Sequence, residues 1–163
     1  MKKSDSLKDR IFTADSIAQE VKRLRLKSKT IAFTNGVFDI LHEGHIAVLA
    51  EAASFADVLI VGINSDASVK KLKGDTRPIN SENSRALIMA SLIMVDAVVI
   101  FNEETPAELI KIIQPDVLVK GGDYTAETIV GAEDVLANGG RVEIIQLKEG
   151  FSTTGIIEKI NSK

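Results

Sequence analysis

The sequence predicts an α/β protein built on a doubly wound parallel sheet in a single domain. Five short apolar segments rich in β-branched residues recur along the chain, at residues 30–34, 58–63, 97–101, 117–120 and 142–145. Apolar strands of this kind suit a sheet covered on both faces, and strand–helix alternation implies parallel strands with right-handed crossovers. A length of 163 residues fits one such domain.

Helices are predicted where apolar residues recur at helical spacing between and before these strands. The predicted inner faces are Ile46, Leu49, Ala50 and Ala53 in a first helix, Leu87, Ile88, Ser91, Leu92 and Val95 in a second, Leu109, Ile112 and Ile113 in a third, and Ile17, Val21 and Leu24 in an outer helix ahead of the sheet. The outer helix is expected over residues 15–26, with Asp15 and Ser16 as N-caps. The basic stretch at residues 70–80 lacks periodicity and is predicted to be a surface loop.

The composition excludes several classes of function. The chain has no cysteine, which removes disulfides, thiolate catalysis and cysteine-based zinc sites. A net charge of −3, one tyrosine and no tryptophan offer neither a positive field nor a stacking platform for nucleic acid. The apolar runs fall short of the roughly 20 residues that span a bilayer, and the N-terminus does not read as a secretory signal. We therefore expect a cytoplasmic protein without nucleic-acid or membrane partners.

Both histidines of the chain lie in the stretch TNGVFDILHEGH, which follows the first predicted strand of the sheet. His42 and His45 stand at i and i+3, so they share one face of the opening turn of a helix. The N-terminus of a helix favours an anion. Asn35 and Gly36 permit a sharp turn and close approach of a ligand, and Gly44 keeps a side chain away from it. The pattern favours phosphate chemistry at this turn.

Two other interpretations of the histidine pair remain open on spacing alone. A transition-metal site needs a third or fourth ligand, and Asp39 and Glu43 are the only carboxylates nearby in sequence. The two rings are also compatible with polar side chains that cap a helix by chance. We assign no metal ligand.

Two further stretches suit a nucleotide. Lys120, Gly121 and Gly122 follow a strand, where backbone amides can approach a ligand beside a mobile positive charge, and Asp123 can accept hydrogen bonds from a ribose. A turn that merely needs glycine is the alternative. The hydroxyl run of residues 152–154 opens the last helix and forms an anion cradle with its free amides.

Five blocks in a fixed order resemble the HxGH nucleotidyltransferase superfamily. They are TNGVFD with HEGH, NSDASVKKLKGDTRPIN, the region from Arg85 to Val99, LVKGGDYTAETIVGAE and EGFSTTGIIEKI. Together they are most similar to the adenylyltransferase domain that makes ADP-heptose from heptose 1-phosphate and ATP, in its stand-alone form. The resemblance covers about residues 29–160. It implies a Rossmann-like nucleotidyltransferase domain at residues 29–163, with residues 1–28 as a helical extension assigned to packing.

The resemblance also implies roles for individual residues. The implied catalytic residues are His42, His45 and Lys73, and the implied nucleotide-binding residues are Thr34, Asn35, Gly36, Phe38, Gly44, Lys120, Gly121, Asp123, Ser152, Thr153 and Thr154. Arg77 and Arg85 are expected to contact the substrate phosphate, and Asp39 to orient the histidine turn. The family often has an arginine where this chain has Phe151, so Lys148 is the candidate for that charge.

The implied substrates are ATP and a sugar 1-phosphate, with Mg²⁺ held mainly by the ATP phosphates. Superfamily members are often dimeric, so the resemblance implies a homodimer. Three alternatives stay open: a cytidylyltransferase for glycerol 3-phosphate, a flavin-nucleotide synthase, and a module that binds a nucleotide without turnover.

Overall fold

The sheet and its helices follow the predicted alternation. The protein is described here by a computed structural model that covers residues 4–146 and 152–162. The strands are β1 (Ile11–Phe12), β2 (Ile31–Gly36), β3 (Val58–Asn64), β4 (Ala97–Phe101), β5 (Val117–Gly121) and β6 (Arg141–Ile145). The α-helices are α1 (Ala14–Leu26), α2 (Glu43–Ser54), α3 (Asp66–Lys73), α4 (Glu82–Ser91), α5 (Ala107–Ile113), α6 (Ala132–Ala137) and α7 (Thr153–Asn161), with 3₁₀ turns at Ser4–Arg10 and Ala126–Thr128.

All strand pairs in the sheet are parallel, in the order β1-β4-β3-β2-β5-β6. The five predicted strands and the predicted single α/β domain are confirmed. The chain builds outward from β2 to one side through β3 and β4 and to the other through β5 and β6. The junction of β2 and β5 is therefore the topological switch point, where open α/β sheets bind ligands at the carboxyl ends of their strands.

Side chains of alternating strand residues fill two separate cores, one on each face of the sheet. Phe33 and Leu118 point to the face covered by α1, α5 and α6, whereas Ala32 and Val119 point to the face covered by α2 and α4. Burial on both faces explains why the strands have uninterrupted apolar sequences.

The predicted inner faces of α2 and α4 are partly wrong. The buried residues are Gly44, Val48, Leu49 and Ala52 in α2 and Arg85, Ala86, Met89 and Ala90 in α4. Ala50, Leu87, Ile88 and Ser91 are predicted to face inward but are exposed, as is Ile112 on the predicted inner face of α5. The buried face of α4 combines Arg85 and Met89 with two alanines, whereas the prediction followed the branched apolar residues beside that face.

The N-terminal region belongs to the same sheet and core as the rest of the domain. The predicted apolar face of α1 is buried, as expected. Its N-cap is Thr13, which forms a capping box with Ser16, and not Asp15 or Ser16 as predicted. The two-residue strand β1 pairs with β4 and was not predicted, because a strand this short has no visible period.

The basic stretch at residues 70–80 is only partly a loop. Its first four residues complete α3, which Ser65 caps by accepting a hydrogen bond from the backbone of Ser68. The helix ends at Gly74, which has a positive φ of 89°. The prediction of a loop was therefore wrong for residues 70–73, which are exposed and mostly charged, because the buried residues of α3, Ser68 and Val69, come just before them.

Two glycines with similar backbone angles offer a matched test of packing near α5. Gly131 and Gly139 have φ angles of 84° and 81°, but a Cβ on Gly131 would lie 2.6 Å from Cδ1 of Ile110, whereas a Cβ on Gly139 would meet no atom within 4 Å. We expect Gly139→Ala to cost about 1–2 kcal/mol from backbone strain alone, and Gly131→Ala about 1–3 kcal/mol more because the site is overpacked. Urea unfolding of both variants measures the difference, and equal losses would contradict it.

Candidate active site

A cleft of about 330 Å³ opens at the switch point. It brings together twelve of the residues implied by the sequence, Thr34, Asn35, Gly36, Phe38, His42, Gly44, His45, Lys73, Gly121, Ser152, Thr153 and Thr154, with Val37 and Val48 between them. The histidine turn after β2 and the hydroxyl run at the start of α7 line the same cleft, although more than a hundred residues separate them in sequence.

The two imidazole rings stack against each other at the start of α2. Their centroids lie 3.8 Å apart at an interplanar angle of 25°, and the ring of Phe38 meets His45 edge-on at 5.3 Å. Phe38 has a positive φ of 49°, which is rare for a bulky side chain and marks local strain at this turn. Gly36 lies close to the Phe38 ring, because a Cβ there would be 3.0 Å from it.

Burial makes both histidines weak bases. It lowers the pKa of His45 to about 4, with further lowering by the nearby charges of His42 and Lys73. Burial also lowers the pKa of His42. Both rings are therefore neutral at pH 7. A neutral imidazole has one N–H, so each ring can donate one hydrogen bond to an anionic oxygen without carrying a full charge.

The depressed pKa of His45 predicts a dependence of stability on pH. The unfolded chain binds a proton near pH 6.5 and the folded chain only near pH 4, so stability falls as pH drops through that window. We expect His45→Gln to reduce the loss of stability between pH 7 and pH 5, because glutamine does not titrate. Urea midpoints of both proteins at both pH values measure this. The same loss in the variant as in the unsubstituted protein would contradict the pKa assigned to His45.

The three hydroxyls at the start of α7 have different roles. The Ser152 hydroxyl caps the helix by accepting a hydrogen bond from the backbone of Gly155 at 2.9 Å. The Thr153 hydroxyl donates to the carbonyl of Ile40 at 3.3 Å, which ties α7 to the turn before the histidines. Thr154 also lines the cleft and is exposed. Phe151 and Lys148, discussed above for a missing arginine, lie outside the described residues.

Lys120 lines a second cavity, of about 230 Å³, which shares Asn35 with the cleft. Its ammonium donates a hydrogen bond to the side chain of Asn35, across the junction of β5 and β2. Burial lowers the pKa of Lys120 to about 8. Asn35 lines both spaces, whereas Lys120 lines only the second. Asp123 is exposed and is not among the residues that line the cleft.

Asp39 is buried and binds the loop before α4, not the histidine rings. Its carboxylate accepts hydrogen bonds from Arg77 Nε at 2.7 Å and from the backbone amides of Ile79 and Asn80, each at 2.8 Å. Burial opposes ionisation, but these bonds and the Arg77 charge outweigh it and hold the pKa of Asp39 below its ordinary value. Arg77 is thus paired with Asp39 and, like Asp39, does not line the cleft.

Arg85 does not reach the cleft either. Its side chain is completely buried, and its guanidinium donates to the carbonyls of Asn80 and Val37 and to the carboxylate of Asp66. In this structure its guanidinium is enclosed by protein acceptors, and the phosphate contact expected from the sequence stays a prediction. A single charged residue on a predicted helix looks exposed in sequence, and nothing local reveals that three acceptors converge on it.

Sequence reasoning missed three residues of the site. Val37 and Val48 line the cleft, and Val48 was detectable because it stands three positions after His45 on the same face of α2. Asn80 donates from its side chain to the backbone carbonyl of Asp39 at 2.6 Å, which joins the loop before α4 to the histidine turn. No signal in the sequence pairs these two positions.

Within residues 4–146 and 152–162, no group of three acidic or histidine side chains is placed to hold a metal ion. No helix in those same ranges is long and apolar enough to cross a membrane. The polar groups that line the cleft are the two neutral imidazoles, hydroxyls, the Asn35 side chain, backbone amides and Lys73, and this set suits a polyanion.

A parallel sheet with paired histidines at its switch point, facing a hydroxyl-rich helix start across one cleft, defines a nucleotide-handling protein of the HxGH type. Comparison with known families agrees. Residues 33–159 match the model of the family described as cytidylyltransferase-like, and the chain belongs to this family of nucleotidyltransferases.

Curated relatives are similar over nearly the whole chain. The chain is 50% identical over 159 residues to the bifunctional protein HldE of Caulobacter sp. strain K31, covering 98% of this chain and 33% of that protein. It is 53% identical over 153 residues to the bifunctional protein HldE of Geotalea uraniireducens, covering 94% of this chain and 31% of that protein. The chain thus spans about a third of the length of the curated relatives it matches.

Two solved structures are similar to the fold. The lipopolysaccharide core biosynthesis protein of Thermoplasma volcanium is 30% identical with a TM-score of 0.59, and the match covers 74% of this chain and 97% of that one. The pantoate-beta-alanine ligase of Francisella tularensis gives a TM-score of 0.64 at 18% identity, covering 94% of this chain and 78% of that one, and supports the fold alone.

Proposed function

We propose that the protein transfers the adenylyl group of ATP to a heptose 1-phosphate, giving ADP-heptose and pyrophosphate. The observation that carries this proposal is the single cleft in which the stacked histidines face the start of α7. About 50% identity to HldE proteins supports the choice of a heptose acceptor, and the similar core biosynthesis protein supports a role in lipopolysaccharide assembly.

The reaction needs no protein nucleophile, because the oxygen of a phosphate monoester is already anionic at neutral pH. That oxygen attacks the α-phosphorus, the bond from the α-phosphorus to the bridging oxygen breaks, and pyrophosphate leaves with the electron pair. The protein contributes by aligning attacker and leaving group and by stabilising charge on the transferring oxygens. His42 and His45 supply neutral hydrogen-bond donors, Lys73 a positive charge, and the start of α7 free amides for the departing phosphates.

Mg²⁺ enters this scheme as part of the substrate, MgATP. An ion that keeps most of its waters and binds phosphate oxygens needs few protein ligands, which fits a cleft built from nitrogen donors and hydroxyls. The buried carboxylate of Asp39, on the turn that leads to the histidines, is already occupied by Arg77 and two backbone amides. We place the activity in the cytoplasm, where ATP is supplied.

A panel of donors and acceptors tests the proposal. Purified protein is incubated with Mg²⁺ and either ATP or CTP, together with D-glycero-heptose 1-phosphate, glycerol 3-phosphate or flavin mononucleotide, and released pyrophosphate is measured. We expect release with ATP and the heptose phosphate, and ADP-heptose in the mass spectrum.

The other outcomes identify the rivals. Release of pyrophosphate only with CTP and glycerol 3-phosphate would identify a cytidylyltransferase, and release only with flavin mononucleotide would identify a flavin-nucleotide synthase. Binding of ATP by calorimetry without pyrophosphate from any acceptor would favour a binding module. The proposed homodimer is tested separately, by light scattering of the same preparation.

A further inference from the structure

Arg85 is a fully buried arginine, with 0% of its side chain exposed. A guanidinium in such a position is costly unless its N–H groups are bonded. Three bonds satisfy it, to the carbonyl of Val37 at 2.8 Å, the carbonyl of Asn80 at 3.0 Å and the carboxylate of Asp66 at 2.7 Å. One side chain in α4 therefore joins three separate segments.

The first of these segments is α3, which carries Lys73 into the cleft. Asp66 is the first residue of this eight-residue helix and Lys73 is the last. The start of α3 is held by α4 twice, since Asp66 accepts from Arg85 through its carboxylate and donates from its backbone amide to Glu82 at 2.7 Å. A shift at the start of a short rigid helix moves its end, so these contacts set the position of Lys73.

The second segment is the turn that leads to the histidines. Val37 stands between Gly36 and the strained Phe38, and its carbonyl is bonded to Arg85. The third segment, the loop before α4, is bonded to both Arg85 and Asp39. Arg85 thus links the turn that precedes the stacked rings to the helix that carries Lys73.

We propose that Arg85 is a positioning residue, which sets the place of Lys73 relative to His45 and does not itself touch a substrate phosphate. The catalytic consequence rests on the function proposed above. The effect of Arg85 on the position of Lys73 does not depend on that function, because Lys73 and His45 line the same cleft with or without a substrate.

The chain contains two histidines, so ring signals in a proton–carbon correlation spectrum of the labelled protein report on them directly. The Lys73 charge is one of the causes that hold down the pKa of His45. Lys73→Ala is therefore expected to raise the pKa of His45. The size of this rise is the reference against which the other variants are compared. Arg85→Lys is expected to produce a rise of the same sign, because the retained charge cannot make the three guanidinium bonds that hold α3 and the turn.

A double variant that carries both Arg85→Lys and Lys73→Ala shows whether Arg85 acts by positioning Lys73. If Arg85 acts through Lys73, Arg85→Lys adds no further rise in the Lys73→Ala background. Asp66→Ala keeps Arg85 and removes only its link to α3, so it repeats the test should Arg85→Lys fail to fold. Arg25→Lys is the matched control. Arg25 bonds Asp116 and the carbonyl of Gln114 at the opposite end of the sheet, so this substitution is expected to leave the pKa values of both histidines unchanged.

Turnover supplies the second measurement. Arg85→Lys is expected to lower kcat roughly tenfold to a hundredfold, as displaced catalytic groups do, with little change in KM for the sugar phosphate. A higher KM that persists in the Lys73→Ala background would mean direct phosphate binding and would overturn the proposal. An unchanged pKa of His45 in folded Arg85→Lys and Asp66→Ala proteins would also overturn the proposal. Failure of the unsubstituted protein to release pyrophosphate from any acceptor would refute the proposed function, while the spectra still decide the role of Arg85.

Discussion

Replacement of His45 by alanine is expected to lower the rate of pyrophosphate release roughly 10²–10³-fold, as loss of one oxyanion donor does. His42→Ala is expected to have an effect of the same order. Both rings line the cleft and stack at 3.8 Å, so we expect them to contact the same group of phosphate oxygens. Initial rates at saturating MgATP and heptose 1-phosphate measure the loss.

The neutral state of the rings makes this prediction more specific. Because burial lowers the pKa of His45 to about 4, its ring is neutral at pH 7, and an amide of similar reach is expected to replace part of the donor role proposed for it. His45→Asn should therefore retain more activity than His45→Ala. Thermal unfolding of each variant controls for loss of fold. Near-full activity of both alanine variants would show that the histidines have no catalytic role.

Replacement of Asp39 by alanine is expected to lower the free energy of unfolding by about 3–5 kcal/mol, the usual loss when one partner of a buried ion pair is removed. The substitution leaves Arg77 and the amides of Ile79 and Asn80 without their acceptor. Urea unfolding at pH 7 measures the change.

An exposed ion pair provides the control for Asp39. Glu108 pairs with Lys111 within α5, and both side chains are more than half exposed, so Glu108→Ala is expected to cost less than about 1 kcal/mol. The same experiment on Asp39→Asn separates charge from shape, because asparagine keeps one acceptor oxygen. An Asp39→Ala protein no less stable than Glu108→Ala would show that the buried contacts of Asp39 contribute little.

The strands and the location of the site were predictable because their signals are local. Each apolar run that is buried on both faces became a strand, and the histidine turn follows the strand at the centre of the sheet, where the topology places ligands. The hydroxyl run of residues 152–154 was recognisable as a helix start, although only the fold shows that Ser152 caps it while Thr153 bonds Ile40.

The roles of the charged residues were not predictable, because they depend on partners distant in sequence. Arg77 and Arg85 are expected at a phosphate on sequence grounds, yet Arg77 is paired with Asp39, and Arg85 is buried against two carbonyls and the Asp66 carboxylate. The strand β1 was missed for a different reason: with two residues it has no alternation to read. In both cases the deciding contact comes from another part of the chain.

The fate of isotope from ATP tests the central claim most directly. Protein, Mg²⁺ and heptose 1-phosphate are incubated in parallel with ATP labelled at the α-phosphorus and with ATP labelled at the γ-phosphorus, and the products are separated. We expect the α-label in the sugar nucleotide and the γ-label in pyrophosphate, with both products formed roughly 10²–10³-fold more slowly by His45→Ala. Transfer of the γ-label to the sugar, or an unchanged rate in that variant, would contradict nucleotidyl transfer at the histidine cleft.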